Sequence, residues 1–145
     1  MKAIIQRVNQ AHVIEDSVII GKISKGLLIF VGVEDSDNDN TIIKISDKII
    51  NLRIFNDINN KMNLSLIDVG GSVLIISQFT LYGDCSKGNR PSFIKAASPV
   101  HAKKIYNEFV NYMVQQNINV QSGKFGANMK VQLINDGPAT FILNI

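Results

Sequence analysis

Apolar and polar residues follow one another along this chain with two different periods, and each period predicts a different kind of element. The segment GLLIFVGV (Gly26–Val33) is apolar without interruption, as expected of a central strand that is covered on both faces. Between Asn40 and Leu52 apolar residues recur at helical spacing, which predicts a first helix. A second helix is expected to follow Ser98 as its N-cap, with Pro99 in the first turn. Its buried face should contain Ala102, Ile105, Phe109 and Met113.

Shorter patterned segments fill the rest of the chain and predict strands. The residues on either side of Glu15-Asp16-Ser17 are β-formers, which predicts a hairpin with this tripeptide as its turn. Further strands are expected around Arg53–Phe55, Met62–Leu66, Val73–Tyr82, Ile118–Gln121, Met129–Ile134 and Ala139–Leu143. Strands therefore dominate and two helices cover them, which predicts a β-rich α/β fold. Since no repeat or flexible linker interrupts the pattern, we expect residues 1–145 to form one domain.

Composition narrows the possible chemistry. Of the 145 residues 46% are apolar and 19% are charged, so a core can form without metals or disulfides. Cys85 is the single cysteine, and the two histidines are far apart in sequence, so we expect no disulfide, metal site or cofactor. The net charge of +3 allows weak attraction to a polyanion. The N-terminus has no apolar leader and no apolar stretch approaches ~20 residues, which predicts a cytoplasmic protein that does not cross a membrane.

The segment SVLIISQFTLYGD (Ser72–Asp84) is the first candidate for chemistry. It begins as a core strand and then places Ser77, Gln78 and Thr80 where further apolar residues would be expected. In an extended strand Gln78 and Thr80 would share one face, about 6.6 Å apart, with Ser77 and Phe79 on the other face. An amide and a hydroxyl at this spacing can hold a small polar ligand between them. A strand that leaves the core explains the same residues without any function.

Thr80 is a weak candidate for a nucleophile. A threonine hydroxyl needs a base, a metal or the chain's own amine to activate it. No histidine, lysine or acid lies beside Thr80 in sequence, and the positions of His12 and His101 are more typical of packing or surface residues. A Ser-His-Asp arrangement therefore has no support in the sequence.

Three further segments are open to both a functional and a structural interpretation. INDGPATFIL breaks a strand at Asn135–Pro138, where a tight turn is the simple explanation. In QSGKFGANMKV, small residues such as Ala127 let a ligand approach the backbone, while Phe125 and Met129 suit either a nucleobase or the core. The basic residues in and around KGNRPSF either contact phosphates, if they share a face, or are simply solvated. They are Lys87, Arg90, Lys95, Lys103, Lys104 and Lys124.

Taken together, four segments resemble the signature segments of the D-aminoacyl-tRNA deacylases. SQFTLYGD, KGNRPSF, SGKFGANM and NDGPATF occur in the family's order and at its spacing. The resemblance extends from IIQRV through GLLIFVGVE, RIFND, KMNLSL and GGSVLIISQFTL to the last strand, so it spans the whole chain. One small departure is Ala139, which stands where many members have valine after the Gly-Pro pair. We expect it to loosen the packing behind this pair without changing the assignment.

The resemblance implies a fold, an activity and a partner. Members of this family are homodimeric hydrolases that cleave the ester between a D-amino acid and the terminal adenosine of tRNA, and they also remove glycine from tRNA. The implied fold is that of the D-aminoacyl-tRNA deacylases (DTD-like), a single α/β domain rich in β-structure. Its curved mixed and antiparallel sheets are covered by two main helices. A related animal-specific deacylase replaces the SQFT wall and keeps its Gly-Pro bond trans. The intact SQFT of this chain therefore argues for the chiral editor.

The resemblance also implies roles for individual residues. Gly137 and Pro138 correspond to a Gly-cisPro element that enters the partner subunit's active site, and Arg7 corresponds to a residue that helps to fix this element. The other wall of the site, which we predict to be catalytic, corresponds to Ser77, Gln78, Phe79 and Thr80. We further predict that the substrate is bound by Phe125, Ala127 and Met129.

Two mechanisms are compatible with the sequence: direct attack by Thr80, and attack by water with a hydroxyl of the RNA taking part. The lack of a base favours the second, with preorganised N–H groups stabilising the oxyanion. Backbone atoms of Gly137-Pro138 would hold the amino group, so that an L side chain collides with the wall and glycine escapes rejection. The competing predictions are a non-catalytic tRNA-binding module and a small-molecule hydrolase with Thr80 as its nucleophile.

Overall fold

The computed structural model describes all 145 residues, from Met1 to Ile145. The strands are β1 (Lys2–Glu15), β2 (Val18–Ile23), β3 (Gly26–Gly32), β4 (Phe55–Asn56), β5 (Met62–Leu64), β6 (Ser72–Ser77), β7 (Asn119–Ser122) and β8 (Lys130–Asn144). The helices are α1 (Asp39–Asn51) and α2 (Pro99–Gln115). A short 3₁₀ turn, Phe79–Tyr82, follows β6.

Six strands form one sheet, and the long strand β1 organises it. Along one edge β1 pairs antiparallel with β2 and β3, and along its other edge it pairs antiparallel with β8. The sheet continues from β3 through β6 to β7 in parallel pairs. Because β2 also lies against β6 and β7, the sheet curls back on itself. Strands β4 and β5 form a separate ribbon.

The sheet buries side chains on both faces, since successive residues of a strand point in opposite directions. A core of 21 buried residues, including Ile29 of β3, lies between the sheet and the two helices. A second core of 7 buried residues, including Leu28 of β3, fills the space beside β2. The prediction of a central strand covered on both faces is therefore confirmed, as is the strand-rich α/β fold.

Both predicted helices are confirmed. Helix α1 begins one residue earlier than predicted because the side chain of Asn38 accepts hydrogen bonds from the backbone N–H groups of the first turn. Helix α2 follows Ser98, whose Oγ accepts from the N–H of His101, and Pro99 occupies the first turn. The four predicted residues of its buried face are buried, together with Tyr106. The predicted hairpin turn is also present between β1 and β2.

Two strand predictions are wrong. The strand predicted for Val73–Tyr82 ends at Ser77, where the chain turns into the 3₁₀ turn. The predicted break at Asn135–Pro138 is not a tight turn, because β8 continues as one strand through these residues and carries a bulge there. Both differences lie at the candidate site.

Candidate active site

A pocket opens where β6 and β7 stop pairing. The last pair of this ladder joins Ile75 to Ser122, and beyond it the two segments diverge. The space between them has a volume of about 490 Å³ and reaches the first turn of α2. The β6 side contributes Ile76, Ser77, Gln78 and Phe79, the segment after β7 contributes Phe125, Gly126, Ala127, Asn128, Met129 and Val131, and the α2 side contributes Ala97, Pro99 and Ala102. No ionisable side chain is among these residues.

The polar end of β6 is formed by a change in backbone direction. The N–H of Gln78 still donates to the carbonyl of Val31 (2.7 Å), and the 3₁₀ turn then begins with the N–H of Leu81 donating to the carbonyl of Gln78 (3.2 Å). Ser77, Gln78 and Phe79 all line the one pocket as a result. The predicted alternation of these residues between two faces is wrong, because the chain is no longer extended after Ser77.

Gln78 and Thr80 contact each other directly. The Nε2 of Gln78 donates a hydrogen bond to the Oγ1 of Thr80, so the two groups bond to each other and do not leave the predicted space for a ligand between them. Thr80 is exposed and adjoins the pocket through this contact. An amide is not a base, so the contact orients the threonine hydroxyl without activating it.

The segment after β7 forms the facing wall, and Gly123 fixes its start. The N–H of Gly123 donates to the carbonyl of Ile75 (2.9 Å), just beyond the last strand pair. A Cβ at this position would lie 2.7 Å from the Sδ of Met129 and 3.0 Å from the Cδ1 of Ile76. Glycine therefore lets Met129 and Ile76 pack closely at this point, and a larger residue would push their side chains aside.

Tyr106 of α2 joins the two walls at the point where they separate. Its hydroxyl donates to the carbonyl of Ile75 (2.9 Å) and lies 3.3 Å from the carbonyl of Gly123. Its ring packs against Phe125, with the ring centroids 5.8 Å apart. Burial raises the pKa of Tyr106, so its hydroxyl remains a donor at neutral pH. The sequence reasoning missed this residue, because its position on α2 indicates core packing alone.

The bulge in β8 lies opposite Arg7. Val8 pairs with Asn135 and Gln6 pairs with Thr140, so the residues from 136 to 139 face Arg7 alone. A bulge of this kind interrupts the ladder and turns backbone groups away from it. The Gly-Pro pair is thereby displayed at the surface.

The bulge is closed by its own residues. The N–H of Ala139 donates to the Oδ1 of Asn135 (2.8 Å). Gly137 has φ of +114°, a conformation that favours glycine. A Cβ on Gly137 would also lie 2.6 Å from the Nη2 of Arg7. Gly137 is therefore required both by its backbone conformation and by the close approach of Arg7.

Arg7 contacts this bulge through Asp136 and is only 4% exposed. Its Nε donates to the carbonyl of Asp136 (3.2 Å) and lies 3.3 Å from the Oδ2 of the same residue. Its Nη1 donates to the carbonyl of Ile54 (2.6 Å) and to the Oδ1 of Asn56 (3.2 Å). Arg7 thus ties the bulge to the region of β4. Its implied role in fixing the Gly-Pro pair stays a prediction that this geometry supports.

The Gly-Pro pair corrects one expectation. The chain contains no cis peptide bond, so the Gly137–Pro138 bond is trans and not cis as the resemblance implies. Trans is the isomer that X-Pro bonds prefer, by about 0.5–1 kcal/mol. Both residues are exposed, and neither lines the pocket of its own chain.

The structure therefore groups the predicted site residues in two places. The pocket brings together Ser77, Gln78, Phe79, Phe125, Ala127 and Met129. Thr80 adjoins the pocket through Gln78, whereas Arg7, Gly137 and Pro138 belong to the bulge. The pocket residues that the sequence reasoning assigned only to structure, or did not consider, include Ala97, Pro99 and Ala102. A helix start carries no signal of what it faces, so these residues could not have been assigned to a site.

The chain has no group of three or more His, Cys, Asp or Glu side chains that could hold a metal ion. None of its helices has the length and apolar character needed to cross a membrane. The groups available in the pocket are thus hydroxyl, amide and backbone groups set in apolar walls.

The chain is similar to known proteins over nearly its whole length. The profile of the D-Tyr-tRNA(Tyr) deacylase family matches residues 4–144. A D-aminoacyl-tRNA deacylase of Thermosipho africanus is 54% identical over 144 residues, which cover 99% of this chain and 97% of that protein. A solved structure named "c-Myc DNA Unwinding Element Binding Protein" is 35% identical, with a TM-score of 0.94 over 100% of this chain and 99% of the other. One named "Structural Analysis of a probable eukaryotic D-amino acid tRNA deacylase" shares the fold, with a TM-score of 0.88 at 18% identity over 99% of this chain and 98% of the other. The chain therefore belongs to the D-Tyr-tRNA(Tyr) deacylase family.

Proposed function

We propose that this chain is a D-aminoacyl-tRNA deacylase, a hydrolase that cleaves the ester between a D-amino acid and the terminal adenosine of tRNA. The relative in Thermosipho africanus bears this name and matches over nearly the full length of both chains. The observation that carries the proposal is the pocket of about 490 Å³ without an ionisable side chain in its walls. Such a pocket suits a substrate that is already reactive, as an aminoacyl ester is. We assign the activity to one domain, residues 1–145.

The pocket has the size and lining that a nucleoside ester requires. Ligand sites typically enclose about 300–1,000 Å³ and combine apolar walls with a few polar groups. Phe125 offers a flat face and Met129 a polarisable thioether, both of which suit contact with a nucleobase. Ser77 and Gln78 supply hydroxyl and amide groups at the opposite wall. We therefore place the terminal adenosine against Phe125 and Met129, with the ester towards Ser77 and Gln78.

The hydrolysis proceeds by attack of water, assisted by the neighbouring ribose hydroxyl of the substrate. A protein nucleophile would need a proton acceptor, and the walls of the pocket contain none. The start of the 3₁₀ turn leaves the N–H groups of Phe79 and Thr80 without partners inside that turn, so backbone donors are available beside the pocket. Preorganised donors of this kind stabilise the oxyanion that develops during ester cleavage. The contribution of the protein is mainly to orient the ester and to exclude competing geometries.

The active sites are completed between the subunits of a homodimer. Gly137 and Pro138 are exposed and lie outside the pocket of their own chain, which supports their entry into a partner's pocket. On the same strand Ile134 is 50% exposed and Ile142 is 75% exposed. A long edge strand with exposed apolar residues is typical of a surface that pairs with another chain. The main chain of the bulge would then hold the amino group of the substrate, rejecting L side chains by steric exclusion.

Three further properties belong to this proposal. Glycine has no side chain to collide with the wall, so Gly-tRNA is a second substrate. The cytoplasm is the proposed location, because aminoacyl-tRNA is used there in translation. A steric filter of this kind tolerates many D side chains, since it does not need to contact them.

A non-catalytic tRNA-binding module is the second candidate. The solved relative at 35% identity is named for binding DNA, and the exposed lysines beside the pocket favour a nucleic-acid partner in this chain too. This candidate predicts binding of tRNA that weakens steeply with salt and is not followed by release of the amino acid. Turnover distinguishes the two candidates.

The decisive experiment is to incubate the protein with D-Tyr-tRNA, L-Tyr-tRNA and Gly-tRNA and to measure the free amino acid. We expect release of D-tyrosine and glycine but not of L-tyrosine. Equal release of D- and L-tyrosine would refute the chiral filter, and binding without any release would identify a binding module. A trapped acyl-enzyme with the acyl group on Thr80 would instead identify Thr80 as a nucleophile.

A matched pair of variants tests whether the pocket is the site of the reaction. Gln78→Ala removes the amide from the wall and should lower kcat/KM for D-Tyr-tRNA by about 10-fold or more, because one positioned hydrogen bond is lost. Gln115→Ala makes the same chemical change at the exposed end of α2 and should leave kcat/KM unchanged. Equal effects of the two substitutions would place the reaction elsewhere.

A further inference from the structure

A second groove adjoins the pocket on the other side of Phe125. It lies between α2 and the segment that follows β7, and its volume is about 520 Å³. Phe125 lines both cavities, so the two are neighbours along one wall. We name this cavity the α2 groove, and the residues that matter here are Lys103, Asn107 and Asn111 of α2 with Ser122, Lys124 and Phe125 facing them.

The α2 groove is polar and cationic, in contrast to the pocket. Lys103, Asn107 and Asn111 are spaced four residues apart, so they form one stripe along a single face of the helix. Lys124 stands on the opposite side, immediately before Phe125 in sequence. No aspartate or glutamate lines the groove. Two cations therefore face each other across a channel whose other polar side chains are neutral amides and hydroxyls.

The two lysines are available to a ligand to different degrees. Lys103 takes part in none of the ion pairs of the chain. Lys124 pairs with Glu15 at 2.7 Å, although its side chain remains 66% exposed. The side chain of Glu15 is 17% exposed, but the lysine end of the pair is open to solvent, which screens the attraction. An anion in the groove can therefore compete with Glu15 for Lys124. Glu15 is thus positioned to weaken binding in the groove without lining it.

We propose that the α2 groove binds the phosphodiester backbone of the single-stranded nucleotides that precede the terminal adenosine of tRNA. The inference rests on the proposed function, which places the terminal adenosine in the pocket. The nucleotide before it must then leave the pocket past a neighbouring wall, and Phe125 is the wall that the pocket shares with a cationic channel. Proteins bind single-stranded nucleic acid by this combination of a positive groove and an aromatic platform.

Another basic cavity on the surface serves as a comparison. Lys44, Lys48 and Arg53 line a groove of about 550 Å³ at the C-terminal end of α1. This groove shares no residue with the pocket. It therefore offers lysines of the same charge, here with Asp47 among the lining residues, that have no continuous path to the ester.

The test compares two substrates that differ only in the RNA before the adenosine. The double variant Lys103→Gln/Lys124→Gln should lower kcat/KM for D-Tyr-tRNA at low salt by about 10-fold or more, because two phosphate contacts are lost. For the D-tyrosyl ester of adenosine, which has no preceding phosphate, kcat/KM should stay within about twofold of wild type. The dependence of log(kcat/KM) on log[salt] for tRNA should become shallower by about 1.4, from about 0.7 per single-strand phosphate contact.

Two control variants sharpen the comparison. Lys44→Gln/Lys48→Gln removes the same charge from the groove at α1 and should leave both substrates unaffected. Glu15→Gln removes the competitor of Lys124 and should raise kcat/KM for tRNA at low salt while leaving the adenosine ester unchanged. An equal effect of the two double-lysine variants on tRNA would reduce the α2 groove to general surface charge and overturn the proposal.

The outcomes separate this inference from the proposed function. Suppose that wild type hydrolyses both substrates. If the double lysine variant then keeps its kcat/KM for both, or loses kcat/KM for both to the same extent, the groove is not the path of the RNA. If wild type hydrolyses neither, deacylation itself is refuted. Binding of an oligonucleotide that ends in CCA and carries no amino acid then still tests the groove. Equal affinity of wild type and the double variant overturns the proposal, and a loss of about 10-fold in affinity supports it.

Discussion

Gln78 determines what the hydroxyl of Thr80 can do. Its amide nitrogen donates to the Oγ1 of Thr80, which leaves the hydroxyl proton without a basic acceptor in this contact. The same conclusion holds if the amide is turned round, because an amide oxygen is a hydrogen-bond acceptor but a very weak base. Attack by Thr80 would therefore generate a proton with no place to go. Attack by water beside the ribose hydroxyl avoids this difficulty, since the substrate supplies its own assisting group.

Thr80→Ala tests this directly. We expect single-turnover cleavage of D-Tyr-tRNA to fall by less than about 10-fold, because only one orienting contact is lost. Loss of a true nucleophile costs on the order of 10⁴-fold or more. Thr80→Ser, which retains a hydroxyl, should behave like wild type under either mechanism and so controls for the contact with Gln78. A loss in Thr80→Ala of the larger size, with binding of the substrate intact, would restore Thr80 as the attacking group.

Gly137 is the residue at which backbone conformation and packing coincide. Gly137→Ala should lower the free energy of unfolding by about 1–3 kcal/mol, because its φ of +114° strains any residue with a Cβ and that Cβ would meet Arg7. Gly88→Ala is the matched control, since Gly88 has φ of +65° but open space around its Cβ position. Urea denaturation of both variants should show the larger loss at Gly137. Equal losses would mean that contact with Arg7 contributes nothing.

At the scale of elements, the site depends on two strands that pair and then separate. β6 and β7 are held in register up to Ile75 and Ser122, and the pocket occupies the space beyond. Helix α2 crosses this point and inserts Tyr106. Its hydroxyl contacts the carbonyl groups of Ile75 and Gly123, where the two walls begin. The width of the pocket is therefore set by one side chain of a covering helix as well as by the strands themselves.

Tyr106→Phe removes this hydroxyl and keeps the packing of the ring against Phe125. We expect the free energy of unfolding to fall by about 1–2 kcal/mol, since a buried hydrogen bond is lost. KM for D-Tyr-tRNA should rise severalfold with a smaller change in kcat, because the pocket is less well held before the substrate binds. Tyr112→Phe is the control on the same helix, as its hydroxyl contacts Asp47 away from the pocket. A loss of stability in Tyr106→Phe with unchanged KM would leave Tyr106 a purely structural residue.

The elements that could be predicted are those whose burial and ends are indicated by the residues of the element itself or next to it. β3 is apolar on both faces and α2 has a cap, a first-turn proline and an apolar stripe, so local sequence was sufficient. The end of β6 was mispredicted because most residues of Phe79–Tyr82 are β-formers. The chain turns there and buries Tyr82, a contact that the local sequence does not indicate. The bulge escaped prediction since Arg7 is 129 residues from Asp136, and the pairing that isolates it is a property of the folded sheet.

At the scale of the whole molecule, the two parts of the candidate site are separate within one chain. The pocket lies at the end of β6, while the Gly-Pro pair lies on the edge strand β8 and does not line that pocket. The family resemblance explains this separation if each pocket receives the bulge of a second subunit. In a symmetric dimer the same surface serves both chains, so every bulge would meet a pocket. A size measurement that finds only monomer at working concentrations would contradict the shared site.

Mixing two defective chains tests the shared site more sharply. Ala127→Trp fills the pocket of its own chain, and Pro138→Trp places a bulky ring where a partner's pocket should receive the bulge, so each homodimer should be inactive. A mixed dimer has one pocket with both defects and one with neither. Random reassociation of equal amounts gives half mixed dimers, so about one quarter of the wild-type sites should be restored, measured as deacylation of D-Tyr-tRNA after co-refolding. If each bulge instead served its own pocket, every chain would keep its own defect and mixing would restore nothing, which would overturn the dimeric site while leaving the pocket itself intact.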